Sequence, residues 1–219
     1  MKKFITAVGI FCSAFAFAQK EGSVSYVMTM EGLPPEQAAM MGDMETKIFF
    51  KDNKTYTEMN SMMYSYKILN DDNGQLFLMD QMGNKFFTRS SKAEMDKNSE
   101  VAKDKEPKIE YINETKTIAG YECKKAIVTG YGKDGEVKSD VWYCEKVPYV
   151  SQGGGRKGGE MFKGLKGMPM EFSIKQGPMN IKMSASAVSF DPVPDSKFIL
   201  TTDGYTEKKM EDIQKGGGK

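Results

Sequence analysis

The chain has 219 residues, with 31 Lys and Arg against 30 Asp and Glu, three Cys, 18 Met and no His. So even a balance offers nothing to hold a nucleic acid or another polyanion. The absence of histidine removes the commonest general base, the commonest metal ligand and every Ser-His or Cys-His nucleophile pair. No cofactor is expected and the chain reads as a non-enzyme.

The first segment, MKKFITAVGIFCSAFAFAQ, has Lys2 and Lys3 ahead of an apolar run from Phe4 to Phe15, then Ala16-Phe17-Ala18 as an A-x-A cleavage site. This predicts a signal peptide over residues 1–18, cleavage after Ala18 and a periplasmic or secreted protein. Cys12 follows Phe11 rather than the small residue that lipid attachment requires, so it is read as discarded with the signal. The apolar run is too short to span a bilayer and no later stretch is long enough, so no transmembrane segment is expected. Residues 19–210 are expected to form one domain and 211–219 a flexible tail.

From residue 23 the apolar period is two. In SVSYVMTM, Val24, Tyr26, Met28 and Met30 alternate with the other side of a half-buried strand. The pattern recurs at residues 44–52, 54–61, 62–70, 75–81 and 85–90, with turn chemistry at Asp52-Asn53, Asp71-Asp72-Asn73-Gly74 and Gly83-Asn84. It resumes at residues 108–117, 123–131, 136–144, 169–176 and 180–190, with a turn at Gly177-Pro178. About ten or eleven antiparallel strands follow from this, and they must close or cover their edges. Two helices are expected: a short one over EQAAMM after Pro34-Pro35, and a second near 91–104, where Ser91 and Glu94 form a capping box.

Cys123 and Cys144 flank one hairpin. With a four-residue loop at Gly132-Lys133-Asp134-Gly135, Tyr131 faces Glu136, and counting outward Cys123 faces Cys144. Directly opposed residues have Cβ atoms about 4.5–5.5 Å apart, the separation a disulfide requires. Neither a C-x-x-C motif nor a neighbouring His suggests a redox couple, so a structural disulfide is expected, contributing roughly 3 kcal/mol by loop closure.

Ile118-Ala119-Gly120-Tyr121-Glu122-Cys123-Lys124-Lys125-Ala126, Val141-Trp142-Tyr143 with Val147-Pro148, Met168-Pro169-Met170-Glu171-Phe172, and Phe198-Ile199-Leu200 with Gly204-Tyr205 resemble the landmarks of a bacterial envelope family, domain of unknown function 4412. That family is grouped with the LolA/LolB-like lipoprotein carriers. The resemblance implies a mainly β fold, an unclosed antiparallel β-barrel with one or two covering helices over an apolar cavity. The carrier's residues for cargo exchange have no match here, so fold is implied and activity is not.

Residues 151–167 are Gly-rich and basic without a phosphate-loop spacing, and read as a mobile loop. Met161, Phe162 and Leu165 within it suggest a lid or a membrane-touching segment as the alternative. Strand alternation directs Tyr26, Met28, Met30, Ile48 and Phe50, together with Phe77, Met170, Phe172 and Met183, toward the interior. These are the residues expected to line a cavity for a lipophilic ligand or lipoprotein, since flexible thioethers adapt to varied apolar surfaces. A partner protein is not identified. Two alternatives stand beside this reading. One is Cu(I) binding through the close-spaced Met40, Met41, Met44, Met59, Met62 and Met63. The other is a structural envelope protein with a filled core.

Overall fold

A computed structural model of the chain describes residues 20–32, 36, 44–61, 63–101, 106–132, 135–150, 161–176 and 179–209. The expected signal peptide, the tail and, apart from Glu36, the short helix over EQAAMM lie outside these residues. The described chain is a single twelve-stranded sheet. In chain order its elements are β1 (Glu21–Glu31), β2 (Met44–Lys51), β3 (Lys54–Asn60), β4 (Tyr64–Asp71), β5 (Gly74–Gln81) and β6 (Asn84–Ser91). Helix α1 (Lys92–Val101) follows, then β7 (Lys108–Ile118), β8 (Tyr121–Gly132), β9 (Gly135–Cys144), β10 (Met168–Gln176), β11 (Met179–Ser189) and the short β12 (Thr206–Glu207).

The spatial order is β12-β6-β5-β4-β3-β2-β1-β11-β10-β9-β8-β7. It is two meanders joined by the β1–β11 pair, with α1 in the connection between β6, which only β12 flanks, and the edge strand β7. All pairings are antiparallel except β12 against β6. Among the described residues β6 and β7 do not pair with each other, so the sheet is unclosed. The mainly β, unclosed architecture expected above is therefore the one observed, with twelve strands rather than ten or eleven and a last one too short to show as a period. The exposed edge at β7 carries Lys108, Glu110, Glu114 and Lys116, and a register shift between Ile112 and Thr115 interrupts its ladder. Charge and irregularity of this kind block edge-to-edge association.

Local rules set several boundaries. The Ser91 backbone N–H donates to Glu94 Oε2 at 2.8 Å and the Glu94 N–H donates to Ser91 Oγ at 3.3 Å. That is the reciprocal cap expected at the start of α1. The hairpin between β5 and β6 turns on Met82 and Gly83 with φ of 52° and 86°, the left-handed pair that matches strand twist.

The face of the sheet that bears Val24 and Tyr26 is the inner face. Its main core joins Val24, Tyr26, Ile48, Phe50, Ala126, Val128, Val141, Met170, Phe172 and Ala185. The Tyr26 hydroxyl donates to the Pro169 carbonyl at 2.8 Å, so a phenol with no exposed surface is hydrogen-bonded across 143 residues of chain.

Part of this core comes from the segment read above as a mobile loop. Residues 161–167 are instead docked on the sheet, while residues 151–160 lie outside those described. Phe162 and Leu165 are 2% and 5% exposed. The Phe162 ring meets Phe172 edge-on at 4.7 Å. A turn closed by Leu165 N–H to Phe162 O, with Gly164 at φ 89°, points both side chains inward. The Tyr111 hydroxyl holds the Gly164 carbonyl at 3.3 Å, and Lys166 lies 4.7 Å from the Tyr111 ring. Burial of two large apolar side chains outweighs the chain entropy that a Gly-rich sequence retains.

A second apolar cluster lies on the outer face. Val193 and Phe198 pack on Tyr56 and Leu69, with Phe49, Leu76 and Leu200 at its margin. After β11 the chain therefore crosses the outer face of β2–β5 as a strap and ends with β12 alongside β6. Charge pairs fasten it. Lys51 binds Asp195 at 2.8 Å and donates to the Val193 carbonyl at 3.1 Å, while Glu21 accepts from the Val193 N–H at 3.0 Å. Lys51 holds the Asp195 carboxyl below its usual range. Lys197 lies over Phe49 at 4.5 Å and pairs with Glu58. The landmarks Phe198 and Leu200 are thus strap anchors. Trp142, another landmark, carries Lys116 over its ring at 4.5 Å on the opposite half of the sheet. There burial works to raise Glu171, but the Lys116 hydrogen bond and the Lys182 charge hold it below the ordinary carboxylate range.

Candidate functional site

Directly opposed residues of antiparallel strands share a face, so the register defines rows across the inner side. One row runs Val188, Val24, Ile48, Thr57, Ile68, Phe77 and Thr88, from β11 to β6. The next runs Ala185, Tyr26, Thr46, Met59, Tyr66, Met79 and Phe86. A third begins with Phe172, Met183, Met28 and Met44 on β10, β11, β1 and β2. Beyond the Val24 row lies a polar one, in which Asn70 donates to Thr55 at 2.9 Å and Gln75 donates to Asn70 at 2.8 Å.

The two halves of this face differ. In the half built on β1, β2 and β8–β11, Tyr26, Ile48, Phe50, Met170, Phe172 and Met183 are buried, at most 7% exposed. The Phe162 segment is packed into the same cluster. These six residues of the expected cavity are therefore in contact with the protein's own side chains. Met28 and Met30 are half-buried.

On β4 and β5 the inner face is partly open. Tyr64, Tyr66, Phe77 and Met79 are half-buried, and none belongs to either core cluster. Tyr66 and Phe77 rings lie 6.3 Å apart, and Phe77 and Phe86 rings 6.4 Å apart, which makes a continuous aromatic surface across three strands. Burial raises both tyrosine hydroxyls above their usual range, with Thr46 opposing the shift at Tyr66. They stay neutral phenols at physiological pH. Of this patch only Phe77 was among the expected cavity residues. The alternation of Tyr64, Tyr66 and Ile68, and of Phe77 and Met79, was the signal available for the others.

No family model matches the chain, and no curated protein matches it. Among solved structures it is similar to PNGF-II, with a TM-score of 0.47 and 16% identity over 90% of this chain and 33% of that one. It is also similar to the lipoprotein LppX of Mycobacterium tuberculosis, with a TM-score of 0.39 and 12% identity over 81% and 91%. A third is LprF of Mycobacterium bovis, with a TM-score of 0.33 and 14% identity over 82% and 90%. The chain thus spans about a third of the PNGF-II chain. Likeness at this level transfers no ligand, activity or partner.

The β8–β9 register is the anticipated one, with Gly132 opposite Gly135, Tyr131 opposite Glu136 and Lys124 opposite Tyr143. The next pair outward is Cys123 and Cys144, on the opposite face from Ala126 and Val141. Both are buried free thiols in this structure, and the expected disulfide is not formed. The Cys123 hydrogen bond to Cys144, with the Lys146 and Val147 backbone N–H groups, lowers the Cys144 thiol to about 6 against the opposing effect of burial. The same contact, together with burial, raises Cys123. Behind the pair, Gly167 lies so close to the Cys144 carbonyl that a side chain there would collide with it.

Of the alternative copper ligands, Met40, Met41 and Met62 lie outside the described residues. Met44 and Met59 are buried on adjacent strands and Met63 is half-buried beside β4. Among the described residues no three His, Cys, Asp or Glu side chains converge on a metal position, and no helix is long and apolar enough to cross a membrane.

Proposed function

We propose that the chain is an exported, non-enzymatic binder of an apolar or lipidated ligand, which lies on the inner face of β4–β6. The observation that carries this reading is the aromatic surface of Tyr66, Phe77 and Phe86, which is continuous and left out of both core clusters, with Tyr66 and Phe77 half-buried and Phe86 buried beneath Lys208 at 4.6 Å. A mostly apolar, partly closed surface with a few neutral hydroxyls suits an acyl or other lipophilic chain. Tyr64, Tyr66 and Thr46 provide the hydroxyls.

The test is binding of a fluorescent fatty-acid probe to delipidated protein. Micromolar affinity is expected for the wild type, and Phe77→Lys is expected to abolish it, because its ammonium would be desolvated against the ligand. An unchanged affinity in a folded Phe77→Lys protein would place the ligand elsewhere. Export carries a second expectation. In an oxidising compartment Cys123 and Cys144 close a disulfide, so unreduced, denatured protein taken from the envelope should show no reaction with a thiol reagent. Two reactive thiols per chain would show that the pair stays reduced.

A further inference from the structure

We propose that Met28, Met44 and Met183 form a three-thioether site for a soft monovalent cation, Cu(I) or Ag(I). Met28 on β1 is directly opposite Met44 on β2 and directly opposite Met183 on β11. Three methionines therefore stand side by side on consecutive strands and on one face. Neighbouring strands are about 4.8 Å apart, so the outer two backbones lie about 10 Å from each other. Each side chain has three rotatable bonds ending in sulfur, which lets the outer pair lean inward over Met28.

The Met44 sulfur already acts as an acceptor, taking the Tyr64 hydroxyl at 3.6 Å. That bond joins a fourth strand to the row and orients the sulfur. Met44 and Met183 are 3% and 7% exposed, and Met28 is half-buried, so the row is sheltered but reachable through its centre. The flanking positions of the same face are Tyr26, Thr46 and Ala185 on one side and Met30 with Ile181 on the other. None is a carboxylate, an amine or an imidazole. Neutral soft donors in a weakly polar setting hold Cu(I) or Ag(I) and discriminate against divalent cations that need oxygen or nitrogen ligands.

This grouping differs from the one that sequence spacing suggests. Residues close along the chain, such as Met59 and Met63, are divided between a strand and a loop. Residues far apart in the chain, 28, 44 and 183, are brought into one row. The site adjoins the surface of β4–β6 through the Tyr64 hydroxyl, but its three donors lie outside the aromatic patch, so it does not rest on the lipophilic reading.

The experiment is a titration with Ag(I), followed by NMR, of protein that starts at Gln19 and so lacks Cys12, its methionines carrying 13C methyls. It is run on wild type with Cys123 and Cys144 oxidised to the disulfide, and in parallel on C123A/C144A, so that thiols do not compete. The methyl signals of Met28, Met44 and Met183 are expected to move together and saturate at one Ag(I) per chain. Met28→Leu conserves volume and apolarity, and is expected to weaken binding by about tenfold or more, the scale on which metal sites respond to loss of a supporting group. Phe77→Lys, which removes the fatty-acid site, is expected to leave Ag(I) binding unchanged. Shifts confined to the exposed Met82, no saturation, or unchanged affinity in Met28→Leu would overturn the proposal.

Discussion

Phe172→Ala is expected to cost about 3–5 kcal/mol of stability, the range for removing a buried aromatic ring from a packed core. Phe172 is 2% exposed and lies where three separate parts of the chain meet. Its ring contacts Phe162 at 4.7 Å and Tyr26 at 6.4 Å, and its backbone stands opposite Met183 and Val141. Neighbours on sheet strands are fixed by their ladders and relax little into a void. The Phe162 turn is the one neighbour free to follow, and its collapse would bring the cost toward the lower end. Denaturant unfolding of the variant checks this. A loss below about 1 kcal/mol, the size of a mild volume-conserving swap, would mean that the core around Phe162 is loosely filled.

Truncation after Phe190 is expected to abolish a stable soluble fold. It removes Val193, Phe198 and Leu200 and uncovers Tyr56, Leu69, Phe49 and Leu76, the apolar side of four consecutive strands. It also removes β12 from β6 and leaves an unpaired strand edge. Exposed apolar surface and a bare edge together favour association. Phe198→Ala separates the packing part of this effect, with an expected loss of about 3 kcal/mol and no change in the edge. Soluble yield and thermal unfolding of both forms decide the matter. A truncated chain that stays monomeric and folds cooperatively would show that the strap is dispensable.

The positions of these two large effects show how the chain's information is distributed. The rows of the inner face were readable because side chains alternate strictly along a strand, and Val24, Tyr26 and Met28 do lie on one side. The β8–β9 register was readable because a hairpin loop fixes every pair that follows it, and Lys124 does face Tyr143. The Ser91 and Glu94 cap was readable for the same local reason. No apolar period marked the strap, whose landmarks Phe198 and Leu200 follow Pro192, Pro194 and Asp195.

The candidate site was legible to a smaller degree. Parity pointed to Tyr26, Phe50 and Phe172, but parity says which face a residue is on and not what covers it. Phe162 packs on Phe172 and Phe190 on Phe50, the former from a segment whose glycines and lysines make it look like a solvated connection. The open part of the face fell instead on Tyr64, Tyr66 and Met79, where no segment of the core clusters arrives.

By itself, then, the sequence determined the strands β1–β11, most of their turns, the β8–β9 hairpin register and the mainly β class. These depend on side-chain period and on contacts within a few residues of the turns. The tertiary structure alone decided that Phe162 and Leu165 fill one half of the inner face, that Val193 and Phe198 cover the outer one, and that Met28, Met44 and Met183 share a row. Those outcomes depend on pairings and packing between segments often more than a hundred residues apart, which are set by the burial available to the whole fold and have no period along the chain.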